Sequence, residues 1–236
     1  LRCLVGSEMC IRDSARSIDS SAVALVTEGQ DITYEELVNK SIGLAAFWKN
    51  QGLRPADKIA VQLPNSVEFI QCYIACILGG YIIVPLNSDL SQRNLDYISQ
   101  LVQPKLLVNK FEQIQYHSTK NYEFNSKDDT ISAIFFTSGT TSFPKAVCHC
   151  LGNMLANVVK FNELVGIDRN TRMMHIMPMG YMAGFLNTIL SPLIAGGTVV
   201  VTPQFNAKEA INFWQPAIES NVNAVSYTHL RAHETS

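Results

Sequence analysis

No apolar stretch in this 236-residue sequence reaches about 18 residues without a polar or charged break, so nothing in it reads as a transmembrane helix. The first residues do not read as a secretory leader either: Arg2 is followed by no sustained apolar run before Glu8, Arg12 and Asp13. Neither sign of charge dominates. With 18 basic and 20 acidic side chains the formal net charge is −2, which gives no electrostatic ground for nucleic acid or an anionic membrane as partner. No internal repeat, low-complexity segment or shift in composition marks a second domain. What is present is an ordinary globular balance, 47% hydrophobic and 16% charged, with ample length for a core.

The six cysteines do not read as a disulfide framework, because the chain is neither small nor loop-rich. Cys72 and Cys76 stand four apart on an apolar helical pattern, which suits core packing. In Cys148-His149-Cys150, strand alternation would send the two thiols to one face and the imidazole to the other, a poor zinc geometry. No metal site is expected. A reduced, cytoplasmic protein is the economical expectation.

The two ends fit nothing around them. Position 1 is not Met, and LRCLVGSEMCIRDS and VSYTHLRAHETS lack helical or strand periodicity. Both resemble translated sequencing-adapter tails. Residues 1–14 and 226–236 are therefore expected to be non-native, leaving 15–225 as a partial domain. The rival is a His-rich tail with metal or acid–base chemistry.

Between the ends, strands and helices alternate. Ala22 to Val26 reads as a strand, and Thr33-Tyr34-Glu35-Glu36 as a capping box opening a helix that stops at Gly52. Lys58 to Leu63 is a strand, after which Asn65 is placed to cap a helix from Val67 to Leu78. A strand over Tyr81 to Val84, a helix over Ser91 to Val102 and a strand over Leu106 to Val108 follow. Phe111 to Asp129 reads as a polar surface excursion. Strands are expected at Ile131 to Phe136, Ala146 to His149, Met173 to Met177 and Thr198 to Val201. Helices are expected at Leu151 to Val165, Phe185 to Ile194 and Ala207 to Ser220. Such alternation with near-continuous apolar strands predicts an α/β fold of mostly parallel sheets flanked by helices.

One stretch carries chemistry. Phe136 to Lys145 reads FTSGTTSFPK. Thr137, Ser138, Thr140 and Thr141 offer hydroxyls, and Gly139 allows a positive φ and close approach to a ligand. Successive amides can cradle phosphate oxygens, Lys145 brings a mobile positive charge, and Pro144 stiffens the approach to it. The P-loop pattern is not met, since Pro precedes Lys145 and Ala follows it. On composition alone, a ligand-free Ser/Thr-rich turn stands beside the phosphate-binding reading.

The longer string FTSGTTSFPKAV resembles the signature loop of the adenylate-forming (AMP-dependent) synthetase and ligase superfamily, roughly [YF]-[TS]-S-G-[TS]-[TS]-G-x-P-K-G-V. Cys76 to Asn87, CILGGYIIVPLN, is similar to the upstream block A-x-x-x-G-G-x-x-x-P-L-N. His149 to Asn157 resembles the stretch after the loop, and Met177 to Gly184, MPMGYMAG, the block L-P-x-x-H-x-x-G. The likeness covers nearly everything from Ser21 to Val225. Three positions depart from it. Ser142 and Ala146 stand in glycine places, costing about 1 kcal/mol or more if positive φ is needed there. Tyr181 stands where many acyl-CoA synthetases have His.

The resemblance implies part of the large N-terminal domain of an acyl-CoA synthetase-like fold. It implies a ligase that joins a carboxylic acid to ATP as an acyl-adenylate and then passes the acyl group to a thiol. ATP and Mg2+ are implied, with coenzyme A or the pantetheine of an acyl carrier protein as acceptor. Thr137, Ser138, Gly139, Thr140, Thr141 and Lys145 would bind the phosphates, and Tyr181 and Gly184 would line the acid pocket. Family elements that lie further on are absent, so this chain alone is expected to be inactive. No acidic residue lies between Asp168 and Glu209, which favours a fatty or aromatic acid over an amino acid. A non-catalytic nucleotide-binding module, a truncated non-functional reading frame and an amino-acid adenylation domain are the alternatives.

Overall fold

The computed structural model describes residues 21–118, 122, 125, 127–137, 144–204 and 213–226. Apart from Ser226, the two terminal stretches set apart above lie outside the described residues, as does much of the helix expected from Ala207. Two five-stranded sheets form the frame. Sheet 1 runs β10-β8-β9-β1-β2 and sheet 2 runs β5-β3-β4-β6-β7. The strands of sheet 1 are β1 (Val23–Thr27), β2 (Gln30–Thr33), β8 (Arg172–His175), β9 (Thr198–Val201) and β10 (Ala224–Val225). Those of sheet 2 are β3 (Lys58–Val61), β4 (Ile82–Pro85), β5 (Leu106–Val108), β6 (Ile131–Thr137) and β7 (Lys145–Cys150). Among the described residues, only the hairpins β1–β2 and β6–β7 are antiparallel; the other pairings are parallel.

Helices α1 (Tyr34–Asn50) and α2 (Val67–Gly79) carry the core shared by the sheets. Thr33 and Glu36 close the expected capping box at the head of α1. Every residue of α2 from Phe69 to Gly79 is buried, the mark of a helix with protein on all sides. Its thiols, Cys72 and Cys76, are fully buried, and burial pushes both pKa values up. One continuous cluster joins Leu25 and Val199 of sheet 1 to Ile59, Ile83 and Phe135 of sheet 2 through α1 and α2. A second cluster lies between sheet 2 and α3 (Gln92–Val102), where Leu95, Ile98 and Val102 fall on one helical face.

Several expectations are corrected. Ser66, not Asn65, caps α2, its hydroxyl accepting from the Phe69 amide. The excursion after β5 is largely exposed, as expected, and it is anchored at a few points. Ile114 is buried, the Tyr116 hydroxyl donates to Gln71 at 2.5 Å, and the His117 amide bonds the Gly43 carbonyl. Strand β8 stops at His175, two residues short of the expected Met177. Helix α4 (Leu151–Val165) keeps its expected bounds, but the next helix does not. It is broken into α5 (Met182–Phe185), a π-helical segment Leu186–Leu190 and α6 (Ser191–Ala195). A last helix, α7 (Gln215–Glu219), precedes β10.

Candidate functional site

The stem of the hydroxyl-rich loop is well defined. β6 is built from β-branched and aromatic residues that alternate between two cores, with Ala133 and Phe135 in one and Ile134 and Phe136 in the other. That double packing fixes β6, and β7 returns antiparallel beside it. Thr137 at the end of β6 faces Lys145 at the start of β7 as cross-strand partners. Both are exposed, and among the described residues Lys145 makes no ion pair. Ser138, Gly139, Thr140 and Thr141, like Ser142, lie outside the described residues. Ala146 stands opposite Phe136 in the ladder with no positive φ, so the methyl group in that glycine place is accommodated. Farther along β7, the His149 ring meets Phe135 edge-on at 5.6 Å.

The expected acid-pocket segment lies beyond β8. Gly180 packs so tightly on Leu86 and Asn87 that a Cβ would come within 2.6 Å of the Asn87 amide nitrogen. At Gly184 a Cβ would stand 2.5 Å from the Pro178 carbonyl oxygen. Both glycines are there for space: Gly180 lets the segment lie on the end of β4, and Gly184 lets it fold back on itself. Tyr181 opens α5, its amide bonds the Pro178 carbonyl at 3.1 Å, and its side chain is 45% exposed. Phe185, one turn on, stacks on Tyr73 of α2 with ring centroids 3.6 Å apart.

The parallel strands bring these pieces to one edge. β4 and β6 run parallel, so Asn87 and Thr137 leave the same end of sheet 2. The segment after β8 in sheet 1 reaches the Asn87 side of that edge through Gly180. Crevices beyond the carboxyl ends of strands are where open α/β sheets take ligands. A separate cleft beside β10, lined by Trp214, Ala217, Ile218 and Asn221–Val225, holds none of the expected site residues.

One feature was missed from sequence. Asn65 bonds the Met177 and Met179 backbone, and the Tyr73 hydroxyl donates to the Met179 carbonyl at 2.8 Å. His175, wholly buried at the end of β8, meets Thr188 with 2.6 Å between Nδ1 and Oγ1. Thr188 donates its hydroxyl proton to the Gly184 carbonyl, so it accepts from a protonated Nδ1 and leaves Nε2 as a bare acceptor. Burial pushes the His175 pKa down to about 3, with a smaller upward pull from the Met177 backbone. It is a neutral structural histidine, and nothing local in the sequence signals its partner 13 residues on.

The AMP-binding enzyme family model matches residues 12–229. The chain belongs to the AMP-binding enzyme family. Among curated relatives, this chain is 26% identical over 216 residues to a 2-succinylbenzoate–CoA ligase of Staphylococcus epidermidis, covering 85% of the chain and 44% of the relative. It is 23% identical over 234 residues to a medium-chain fatty-acid–CoA ligase of Escherichia coli, covering 82% and 41%. The chain thus spans less than half the length of these relatives. Among solved structures it resembles the NpsA N-terminal subdomain of Klebsiella oxytoca bound to anthranilyl-AMSN. That likeness has TM-score 0.82 and 21% identity, covering 92% of this chain and 59% of the other. It also resembles the o-succinylbenzoate CoA synthetase of Bacillus subtilis with its OSB-AMP intermediate, at TM-score 0.79 and 23% identity, covering 92% and 61%. The shared fold is that of the N-terminal part of adenylate-forming enzymes, two mixed sheets flanked by helices. Among the described residues, no helix is long and apolar enough to cross a membrane.

Proposed function

We propose that this AMP-binding chain is the phosphate- and acid-binding part of a ligase that activates an uncharged carboxylic acid, fatty or aromatic, as its acyl-adenylate. The observation that carries the reading is the pairing of Thr137 with Lys145 across the mouth of the hydroxyl-rich loop, at the sheet edge that also receives the Tyr181 segment. A carboxylate oxygen attacks the α-phosphorus of ATP, the bond to the bridging oxygen breaks, and pyrophosphate leaves. Thr137 and the loop hydroxyls bind the departing phosphates, and the Lys145 ammonium offsets their charge. A thiol, of coenzyme A or a carrier-protein pantetheine, then displaces AMP and gives up its proton.

The Thr137 hydroxyl and the Lys145 ammonium, a donor and a positive charge side by side, fit phosphate oxygens. Magnesium, carried on the phosphates, would supply charge neutralisation. The four described cysteines are unpaired, in keeping with a cytoplasmic setting. The 2-succinylbenzoate and fatty-acid specificities of the relatives support an acid without an α-amino group, as does the lack of acidic residues from 169 to 208.

The test is acid-dependent ATP–pyrophosphate exchange, on this chain and on a longer polypeptide that carries it. Exchange with octanoate or benzoate in the longer polypeptide alone is the expected result. Exchange by this chain by itself would overturn its inactivity, and none with any acid in the longer one would overturn the ligase reading.

A further inference from the structure

We propose that Asn65 is a positioning residue for the acid pocket, a clamp reaching from sheet 2 that sets where the Tyr181 segment sits. The inference rests on the reading of Tyr181 as pocket wall. Asn65 follows β3, and its carboxamide spends nothing on its own helix, because Ser66 caps α2. Instead its Oδ1 accepts from the Met179 amide at 3.0 Å, and its Nδ2 donates to the Met177 carbonyl at 2.9 Å. The second Nδ2 proton reaches the Thr202 carbonyl beyond β9 at 3.4 Å. The orientation of the amide is fixed by this set, since a flip would oppose like groups at each contact.

The pattern has a physical meaning. A carbonyl and an amide on either side of residue 178 are the pair that a parallel strand neighbour would bond. β8 has ended at His175, and Asn65 takes the place of that neighbour for one more register step. The clamp is reinforced from α2. The Tyr73 hydroxyl holds the Met179 carbonyl, so both backbone polar groups of Met179 are bound by residues from the sheet 2 side of the crevice. The Ser66 amide also approaches the Met179 sulfur at 3.5 Å. The next residue, Gly180, has no room to move toward Asn87, and Tyr181 is tied back to Pro178. Between the Asn65 carboxamide and the exposed Tyr181 ring there is only pinned backbone.

Neighbouring variants separate positioning from stability. Asn65→Ala removes the clamp and leaves the cap; Ser66→Ala removes the cap and leaves the clamp. Amide hydrogen exchange on this chain is expected to show Met179 faster by roughly fivefold or more in N65A, the factor one lost hydrogen bond is worth, with Tyr181 following. In S66A the acceleration is expected at Phe69 instead. Unchanged Met179 exchange in N65A would overturn the proposal. In a longer polypeptide active in pyrophosphate exchange, N65A is expected to shift the octanoate-to-benzoate ratio of kcat/KM several-fold, and S66A to leave it alone. Faster Met179 exchange with an unchanged ratio would overturn the hold of the clamp on acid choice. Loss of pyrophosphate exchange with every acid in the unsubstituted polypeptide would count against the ligase reading, while the amide rates still decide the clamp.

Discussion

His175 is a fully buried histidine whose titration is set by that burial. Its imidazole stays neutral in the folded chain at pH values where the unfolded chain, with the ordinary value of 6.5, takes up a proton. Below pH 6.5 the unfolded state therefore binds more protons, and stability falls as pH drops toward the folded value of about 3. The loss runs at about 1.4 kcal/mol per pH unit. His175→Asn is expected to be less stable at neutral pH but flatter with pH. Urea midpoints at pH 7 and pH 5 should show the gap between wild type and variant narrowing by about 2 kcal/mol. A parallel pair of curves would mean that burial does not govern this histidine. Gly180 and Gly184 act at the same scale, by leaving out a Cβ where the Asn87 amide and the Pro178 carbonyl come close.

Elements show which signals are local. The capping box of α1 was legible because Thr33 and Glu36 lie three apart and need no other segment. Thr33→Ala is expected to cost about 1 kcal/mol, read as a lowered urea midpoint with an unchanged m-value. No loss would mean that α1 is held by packing alone. The role of Asn65 was not legible: either Asn65 or Ser66 can cap a helix, and the partners that decide between them lie 112 to 137 positions away. The π segment Leu186–Leu190 was hidden for a related reason. Apolar periodicity there fits a plain helix, and the widened turn coincides with the Thr188 contacts to His175 and Gly184. Of the candidate site, the sequence pointed to the loop, its lysine and the Tyr181 segment as candidates, each by residue type and order. It was silent on what holds them at one edge.

At the scale of the whole molecule, α/β alternation predicted parallel strands but not their division into two sheets. That division depends on β1 returning to lie beside β9, a pairing across some 170 residues that no local pattern contains. The sheets are not independent, because α1 and α2 belong to one apolar cluster with both. The described chain is therefore expected to unfold in a single transition. Trp48 is buried in the shared core and Trp214 is exposed near β10, so fluorescence is dominated by the core. Coincident urea curves by fluorescence and far-UV circular dichroism are the expected result; two separated midpoints would show that the sheets come apart one at a time.

The Thr137–Lys145 stem has one more consequence, for how freely the segment it closes can vary. Seven residues join the two partners, and their ends are held together by a ladder that does not depend on them. The entropic cost of closing such a segment grows only with the logarithm of its length, so one added residue costs about 0.1 kcal/mol. On the proposed phosphate-binding role, insertion or deletion there would change what the phosphates meet while Lys145 keeps its place opposite Thr137. For stability alone the joining segment tolerates a change of length, whereas Lys145 is fixed by its place in the ladder.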